Sequence, residues 1–425
     1  MAYRLFVELM NETTADAPAS FSGAFSRLHY LHAQRGFSDT LYHAANDFRV
    51  RWRRADELTE AELTDRLPGD LRALADLVAG LKQAPVPAEL AALLPRHLTA
   101  VESPGPLSEK CLRVVVDAVL SHELTVSPTD AGGDTEFQLP LAPDAAGGRD
   151  FRYLLELVEP GMQLNLVAVR REGHRLFPEL VILEPDYLVN VTAIAQCIAR
   201  TGTCSEWNVL KKFDPFVTSR HTLLGSLSGQ MLDEEVHGLE AGYADTARRF
   251  FSDHALEFAA CDFDRQEFHA QAQQQQRNLR NLSQNTFKHQ LHLSDEEGVC
   301  IEPSFFCEML GLQGRIDLMK PDGTVVVEQK SGKFDEYNNT AHHEHEIQLM
   351  LYMAMRHYAF QQPYSRLQGY LLYSKYPDEK SIWPIPNAPD RLREAFRIRN
   401  EIVAREMEFA RNGMREFIEQ LSPED

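Results

Sequence analysis

Two short stretches of the chain hold the residues best suited to do chemistry: Gly314-Arg315-Ile316-Asp317 and Val325-Val326-Val327-Glu328-Gln329-Lys330. Asp317 and Glu328 offer hard carboxylate oxygens of the kind that hold Mg²⁺ or Mn²⁺, ions often bound by only one or two protein carboxylates. Such a cation polarises a phosphate oxygen and lowers the pKa of a bound water. Lys330 could orient that water or stabilise the charge that develops on phosphorus. The chemistry these residue types suit is metal-assisted hydrolysis of a phosphodiester. The plain alternative is a surface hairpin carrying an ordinary acidic residue and an ion pair.

Positioning these groups requires particular elements. Both stretches are apolar or β-branched and read as strands, separated by Lys320-Pro321-Asp322-Gly323, which has the composition of a turn. A hairpin there brings Asp317, at the end of one strand, beside Glu328 in the next. Lys330, two residues on, falls on the same strand face as Glu328. Beyond Ser331-Gly332-Lys333 comes a helical stretch in which Gln348 and Tyr352, four apart, share a face.

The succession Gly-x-x-Asp, Glu-x-Lys-Ser-Gly-Lys and Gln-x-x-x-Tyr resembles the RecB-like branch of the PD-(D/E)XK nucleases. Its nearest likeness is to the nuclease domain of the eukaryotic replication helicase-nuclease that trims DNA flaps. Glu302-Pro303 ahead of Gly311-Leu312-Gln313-Gly314-Arg315-Ile316-Asp317 is similar to that family's approach to its metal-binding aspartate. Leu371 to Arg399, with Pro384-Ile385-Pro386, is similar to its continuation, and Asp186-Tyr187-Leu188-Val189 with Thr192 to Ala195 to its leading segment. The likeness spans roughly residues 150 to 410.

The resemblance implies an α/β fold: a PD-(D/E)XK, restriction-endonuclease-like core of mixed sheet flanked by helices, preceded by a β-rich, barrel-like module. It implies that Asp317 and Glu328 ligate Mg²⁺ or Mn²⁺, with the Gln329 carbonyl as a further ligand, and that Lys330 positions or activates the water. Gln348 and Tyr352 would orient the core and the scissile phosphate. The implied activity is metal-dependent cleavage of DNA, at single strands or ends, in repair or anti-phage defence. The competing reading is a catalytically weak DNA-binding or scaffold subunit of a helicase complex.

The sequence departs from the family in three ways. Leu223 to Glu235 is similar to the first nuclease helix, yet Gly229 stands where the family has a histidine ligand; Asp233, Glu234 and Glu235 are the nearest substitutes. Several relatives hold an iron–sulfur cluster with one cysteine before the nuclease core and three after it. Cys197 or Cys204 could lead, but no cysteine follows Cys307, so no cluster of that type is expected. No G-x-x-x-x-G-K-[ST] occurs, so the expected helicase or translocase is another subunit or a region missing from this chain.

At 425 residues the chain accommodates two or three domains, read as residues 1–106 of unclear role, 107–185 as the β-rich module and 186–425 as the nuclease. A net charge of −20 argues against a protein that coats nucleic acid nonspecifically, although a local basic channel remains compatible with it. No run approaches membrane-spanning length, and MAYRLFVELMNE, with Glu8 in its short apolar run, does not read as a signal peptide. Six scattered cysteines suggest reduced cytosolic thiols and a cytoplasmic protein.

Elsewhere, Phe48 to Arg54 alternates basic with apolar residues and reads as an edge strand or a nucleic-acid stripe. Leu58 to Leu81 reads as a helix interrupted at Pro68-Gly69. Pro85 to Pro106 reads as a connector with one short helix. Leu112 to Leu120, Met162 to Arg171 and Leu176 to Leu183 read as strands. Phe251 to Phe287 reads as one long helix whose glutamine run, Gln271 and Gln273 to Gln276, is a solvated face or a DNA contact. His342-His343-Glu344-His345-Glu346 reads as a polar helix start and not as a zinc motif. Tyr370 to Lys375 reads as a core strand followed by a loop to Pro389. Arg391 to Phe417 reads as an amphipathic helix whose arginines pair with neighbouring glutamates or meet phosphate.

Overall fold

The computed structural model describes residues 2–17, 21, 23–53, 60–96, 107–129, 136–143, 148–199, 202–215, 217–239, 242–293, 298–377 and 380–420. The chain divides into two compact units, Met1–Leu183 and Glu184–Asp425.

The first unit opens with helices α1 (Ala2–Thr13), α2 (Ala24–Arg35), α3 (Asp39–Arg53), α4 (Glu60–Lys82) and the short α5 (Ala88–Ala91). Phe6, Met10, Phe25, Leu28, Phe48 and Leu77 form their shared core. Phe48 to Arg53 is therefore helical, not a strand. Read at 3.6 residues per turn, Tyr42, Ala45, Phe48 and Trp52 fall on one face, and that apolar stripe is what the packing buries. Two of its basic residues are spent internally: Arg51, with the Trp52 indole, bonds Asp70, and Arg49 is buried, its Nε donating to Asn46. Arg54 lies outside the described residues. Helix α4 runs on through Pro68 instead of breaking there. Asp70, Ala73, Leu77 and Leu81 are all buried on its inner face, so tertiary packing outweighs the local cost of the proline.

Strands β1 (Leu107–Val119), β2 (Glu123–Pro128), β3 (Phe137–Pro140), β4 (Gln163–Glu172), β5 (Arg175–Phe177) and β6 (Leu180–Leu183) follow. Strand β1 pairs with both β2 and β4, β2 with β3, β3 with β5, and β5 with β4, closing a five-stranded barrel-like ring; β6 adds to β4. The expected barrel-like module is present. Closure hides its edges, and alternate residues such as Val114, Val116, Leu124, Val126, Leu164 and Leu166 fill it.

The second unit begins with β7 (Val189–Asn190), α6 (Val191–Gln196), the pair β8 (Ile198–Ala199) and β9 (Gly202–Thr203), and α7 (Glu206–Lys211). Helices α8 (Arg220–Val236), α9 (Tyr243–Asp253), α10 (Ala255–Ala260) and α11 (Arg265–Leu282) come next. The expected single helix over 251–287 is thus broken. Asp264 caps a new helix through the Gln266 and Glu267 N–H groups, letting Phe258, Phe263 and Phe268 fold onto one another.

Strands β10 (Cys300–Ile301), β11 (Ser304–Cys307), β12 (Leu312–Arg315), β13 (Leu318–Met319) and β14 (Val325–Lys330) precede helix α12 (His343–Ala354). They are followed by β15 (Gln368–Tyr373), β16 (Ile382–Ile385), α13 (Pro389–Asn412) and α14 (Met414–Gln420). The main sheet runs β10-β13-β14-β15-β16, with β14 central and parallel to β15; a second sheet runs β11-β12-β7. The stretch expected to be a loop before Pro389 contains β16, an edge strand. Pro384 is tolerated there because an edge strand leaves one side unpaired. The expected C-terminal helix is divided at Gly413 into α13 and α14. Its arginines are largely paired: Arg397 with Glu394 and Glu401, Arg405 with Glu206 and Glu408, Arg393 with Asp390.

Candidate active site

Strand β14 is the floor of the site. Val325, Val326, Val327 and Glu328 are all buried, because a central strand covered on both faces buries successive residues instead of alternating. Gln329 then points its side chain at Ser228 of α8, whereas Glu328 and Lys330 meet Gln348 of α12. The period-two alternation of the strand therefore sends the acid and the lysine to one layer and the glutamine to the other.

Asp317 reaches the same place by a different route from the one expected. The sequence suggested one strand through Asp317, but Leu312–Arg315 belongs to the second sheet and Leu318–Met319 to the main sheet. Asp317 sits where the chain crosses between them. Its Oδ2 accepts the Gln329 N–H at 2.6 Å, and its own carbonyl accepts the Glu302 N–H at 3.0 Å. The carboxylate is therefore held beside Glu328 by β14's own backbone. The hairpin itself is formed by β13 and β14, with Leu318 opposite Val327 and the turn closed by a Gly323 N–H to Lys320 carbonyl bond of 2.7 Å.

Glu328 is 3% exposed. Its Oε1 accepts from Lys330 Nζ at 2.9 Å and from Gln348 Nε2 at 2.6 Å; Gln348 Oε1 accepts from Lys330 Nζ at 2.8 Å. Gln348 also donates to Thr192 of α6 at 3.3 Å. Glu328 Oε2, by contrast, is a buried oxygen with no hydrogen-bond partner. Burial first, and the neighbouring Asp317 charge second, push Glu328 up to about 7; burial likewise raises Asp317. Two buried carboxylates, the charge of Asp317 opposing the ionisation of Glu328 and one oxygen left orphaned, form a donor set that a divalent cation would satisfy. Among the described residues, no three His, Cys, Asp or Glu side chains already converge at metal-binding distance.

Tyr352 is buried, and its hydroxyl donates to the Arg315 carbonyl at 2.8 Å. Its ring lies over Gly314 so closely that a Cβ there would stand 2.8 Å from Cε1. Gly314 thus lets Tyr352 grip the strand leading to Asp317, while Gln348, one turn earlier on α12, grips Glu328 and Lys330.

Gly229 faces open space, with nothing within 4 Å of where a Cβ would stand. Of its three possible substitutes, Glu234 is buried and bonded to Thr246 and Arg249, and Glu235 pairs with Arg280. Neither belongs to a solvated acidic face. Asp233 is half-buried and is pushed up to about 6 by burial and by the charges of Glu302 and, more weakly, Asp317. The sequence reading also missed what the glutamine run does: Gln275 and Gln276 are buried, so this part of α11 is not a solvated face. In the histidine-rich start of α12, burial keeps His345 neutral, down to about 3, with its Nδ1 at 3.0 Å from the Tyr373 hydroxyl. All six cysteines are free thiols.

Comparison with known proteins bears on the second unit. Residues 217–421 match the PD-(D/E)XK nuclease superfamily. No curated protein matches. One solved structure with partial likeness is a "Putative exonuclease" from Eubacterium rectale, with 12% sequence identity and a TM-score of 0.35; the match covers 54% of this chain and 83% of that one. The stretch that matches, 217–421, lies within the mixed α/β second unit and contains its central strand β14, so this part of the chain is similar to a PD-(D/E)XK nuclease superfamily domain.

Proposed function

We propose that the second unit is a metal-dependent nuclease that hydrolyses phosphodiester bonds in DNA, of the RecB-like kind, with Asp317, Glu328, Gln329 and Lys330 at its centre. The observation that carries this reading is the buried, unpartnered Glu328 Oε2 beside Asp317, an arrangement costly to maintain without a cation. Asp317, Glu328 Oε2 and the Gln329 carbonyl are the groups that would hold Mg²⁺ or Mn²⁺. When bound, the ion would polarise the phosphate and acidify a water.

The chain's own residues supply the rest. Lys330 is anchored by Glu328 and Gln348 and keeps its ammonium partly exposed, as a group that orients a water or meets charge on phosphorus must be. Gln348 fixes that lysine and the carboxylate together, and Tyr352 fixes the backbone that presents Asp317. Single strands or ends are the proposed substrate, and a helicase or translocase the proposed partner, in repair or anti-phage defence. The net charge of −20 supports dependence on such a motor, because little counterion release is available to drive unaided binding.

The experiment is cleavage of end-labelled single-stranded DNA by the purified chain with Mg²⁺, Mn²⁺ or EDTA. Metal-dependent cleavage is expected. Binding without cleavage under every metal condition would favour the scaffold reading instead.

A further inference from the structure

Lys330 lies between two residues whose polar groups are both tied to the helical layer opposite α12. The Gln329 side chain donates to Ser228 of α8, at 3.2 Å to the carbonyl and 2.6 Å to Oγ. Ser228 Oγ stands 3.0 Å from Ser374 Oγ, just beyond β15. Ser374 Oγ donates to Gln275 Oε1 of α11 at 2.8 Å, a better acceptor than the Lys330 carbonyl at 3.4 Å. Gln275 Nε2 then donates to the Ser331 carbonyl at 3.1 Å. The path leaves β14 at Gln329 and returns to the chain at Ser331, the residue just after β14.

The direction of every bond is determined. A backbone carbonyl only accepts, so the Ser228 and Ser331 carbonyls fix which end of the Gln329 and Gln275 amides carries the protons. Ser374 has one proton and gives it to Gln275. Ser228 must therefore donate to Ser374, leaving its lone pairs to accept from Gln329. The ring has a single arrangement. Asn278, one turn after Gln275, clamps the Ser374 and Lys375 carbonyls at 3.0 Å each, and the Ser374 N–H holds the Lys330 carbonyl at 3.0 Å. Ser228, Gln275, Asn278 and Ser374 are all buried and uncharged.

We propose that Ser228, Ser374, Gln275 and Asn278 are positioning residues that act through Lys330, a proposal that rests on the nuclease reading above. Pinning residues 329 and 331 from one layer fixes the backbone from which Lys330 reaches Glu328 and Gln348 in the other. Gln275, a buried member of the glutamine run of α11, serves the site from behind.

The test is a mutant cycle with Ser228→Ala, Ser374→Ala, their double variant and Gln275→Met, each with and without Lys330→Ala. Each single substitution is expected to lower kcat on labelled single-stranded DNA roughly 10- to 100-fold with KM unchanged. The double serine variant should be no worse than either single one, and none should cost anything further once Lys330 is alanine. Additive losses, or equal losses in the Lys330→Ala background, would make the serines structural only and overturn the proposal. Hydrogen exchange over residues 326–333 supplies an arm independent of cleavage. Ser374→Ala should exchange there roughly fivefold faster or more, while Gln273→Ala, on the exposed face, should not. Unchanged exchange in Ser374→Ala overturns the ring whatever the chain cleaves. A wild-type chain that cleaves nothing while Ser374→Ala exchanges faster overturns the nuclease reading and not the ring.

Discussion

Glu328 shows how much of the site's character follows from the burial of one group. The unfolded chain ionises this carboxyl near 4.5, whereas the fold retains the proton up to about 7. The folded state therefore binds more protons across that window, and this group's contribution to stability falls as pH rises from 4.5 to 7 and stays lost above it. Without metal, the melting temperature of wild type relative to Glu328→Gln should fall between pH 5 and pH 8, and added Mn²⁺ should recover it at pH 8. A wild-type curve that tracks Glu328→Gln at every pH would show that the acid is not strained. Lys330 makes a separate prediction, because on the proposed reading its ammonium would meet the charge that develops on phosphorus. Lys330→Ala should lose roughly 10²- to 10³-fold in kcat with DNA affinity little changed, read by single-turnover cleavage beside filter binding. A loss confined to affinity would assign it to phosphate binding alone.

At the scale of elements, the fit between Gly314 and Tyr352 joins α12 to the strand that delivers Asp317. Gly314→Ala places a methyl 2.8 Å from the ring edge and should destabilise the domain by about 1–3 kcal/mol, measured by urea denaturation. Full stability would mean that α12 does not grip this strand. The same elements show what a sequence can reveal. Val325 to Lys330 was legible because three β-branched residues in a row suit a strand covered on both faces. The Asp317 crossover was not, since nothing local marks the change from one sheet to another. Phe48 to Arg53 alternates like a strand over a few residues, and only the longer stripe from Tyr42 to Trp52 identifies the helix. Pro68 misled because a local penalty was read without the tertiary setting that tolerates it. Asp317, Glu328, Lys330 and Gln348, named from residue type, spacing and the family resemblance, do come together; their buried support at Ser228, Ser374 and Gln275 had no signature, because serine and glutamine usually face water.

For the whole molecule, the decisive property is its acidity, and among the described residues the α13 arginines Arg391, Arg397 and Arg405 are paired with glutamates. The isolated chain should bind single-stranded DNA weakly and lose that binding steeply between low and physiological salt, and a helicase with ATP should raise cleavage beyond what extra metal achieves. Tight binding and fast ATP-independent digestion at physiological salt would rule out dependence on a motor. The central claim is that Asp317 and Glu328 hold a catalytic cation, and the most direct measurement is Mn²⁺ binding by electron paramagnetic resonance, run beside cleavage of labelled DNA, for wild type, Asp317→Ala and Glu328→Ala. The account predicts bound Mn²⁺ and cleavage in wild type and the loss of both in each variant with the fold retained; near-normal Mn²⁺ binding and cleavage by Asp317→Ala would contradict it.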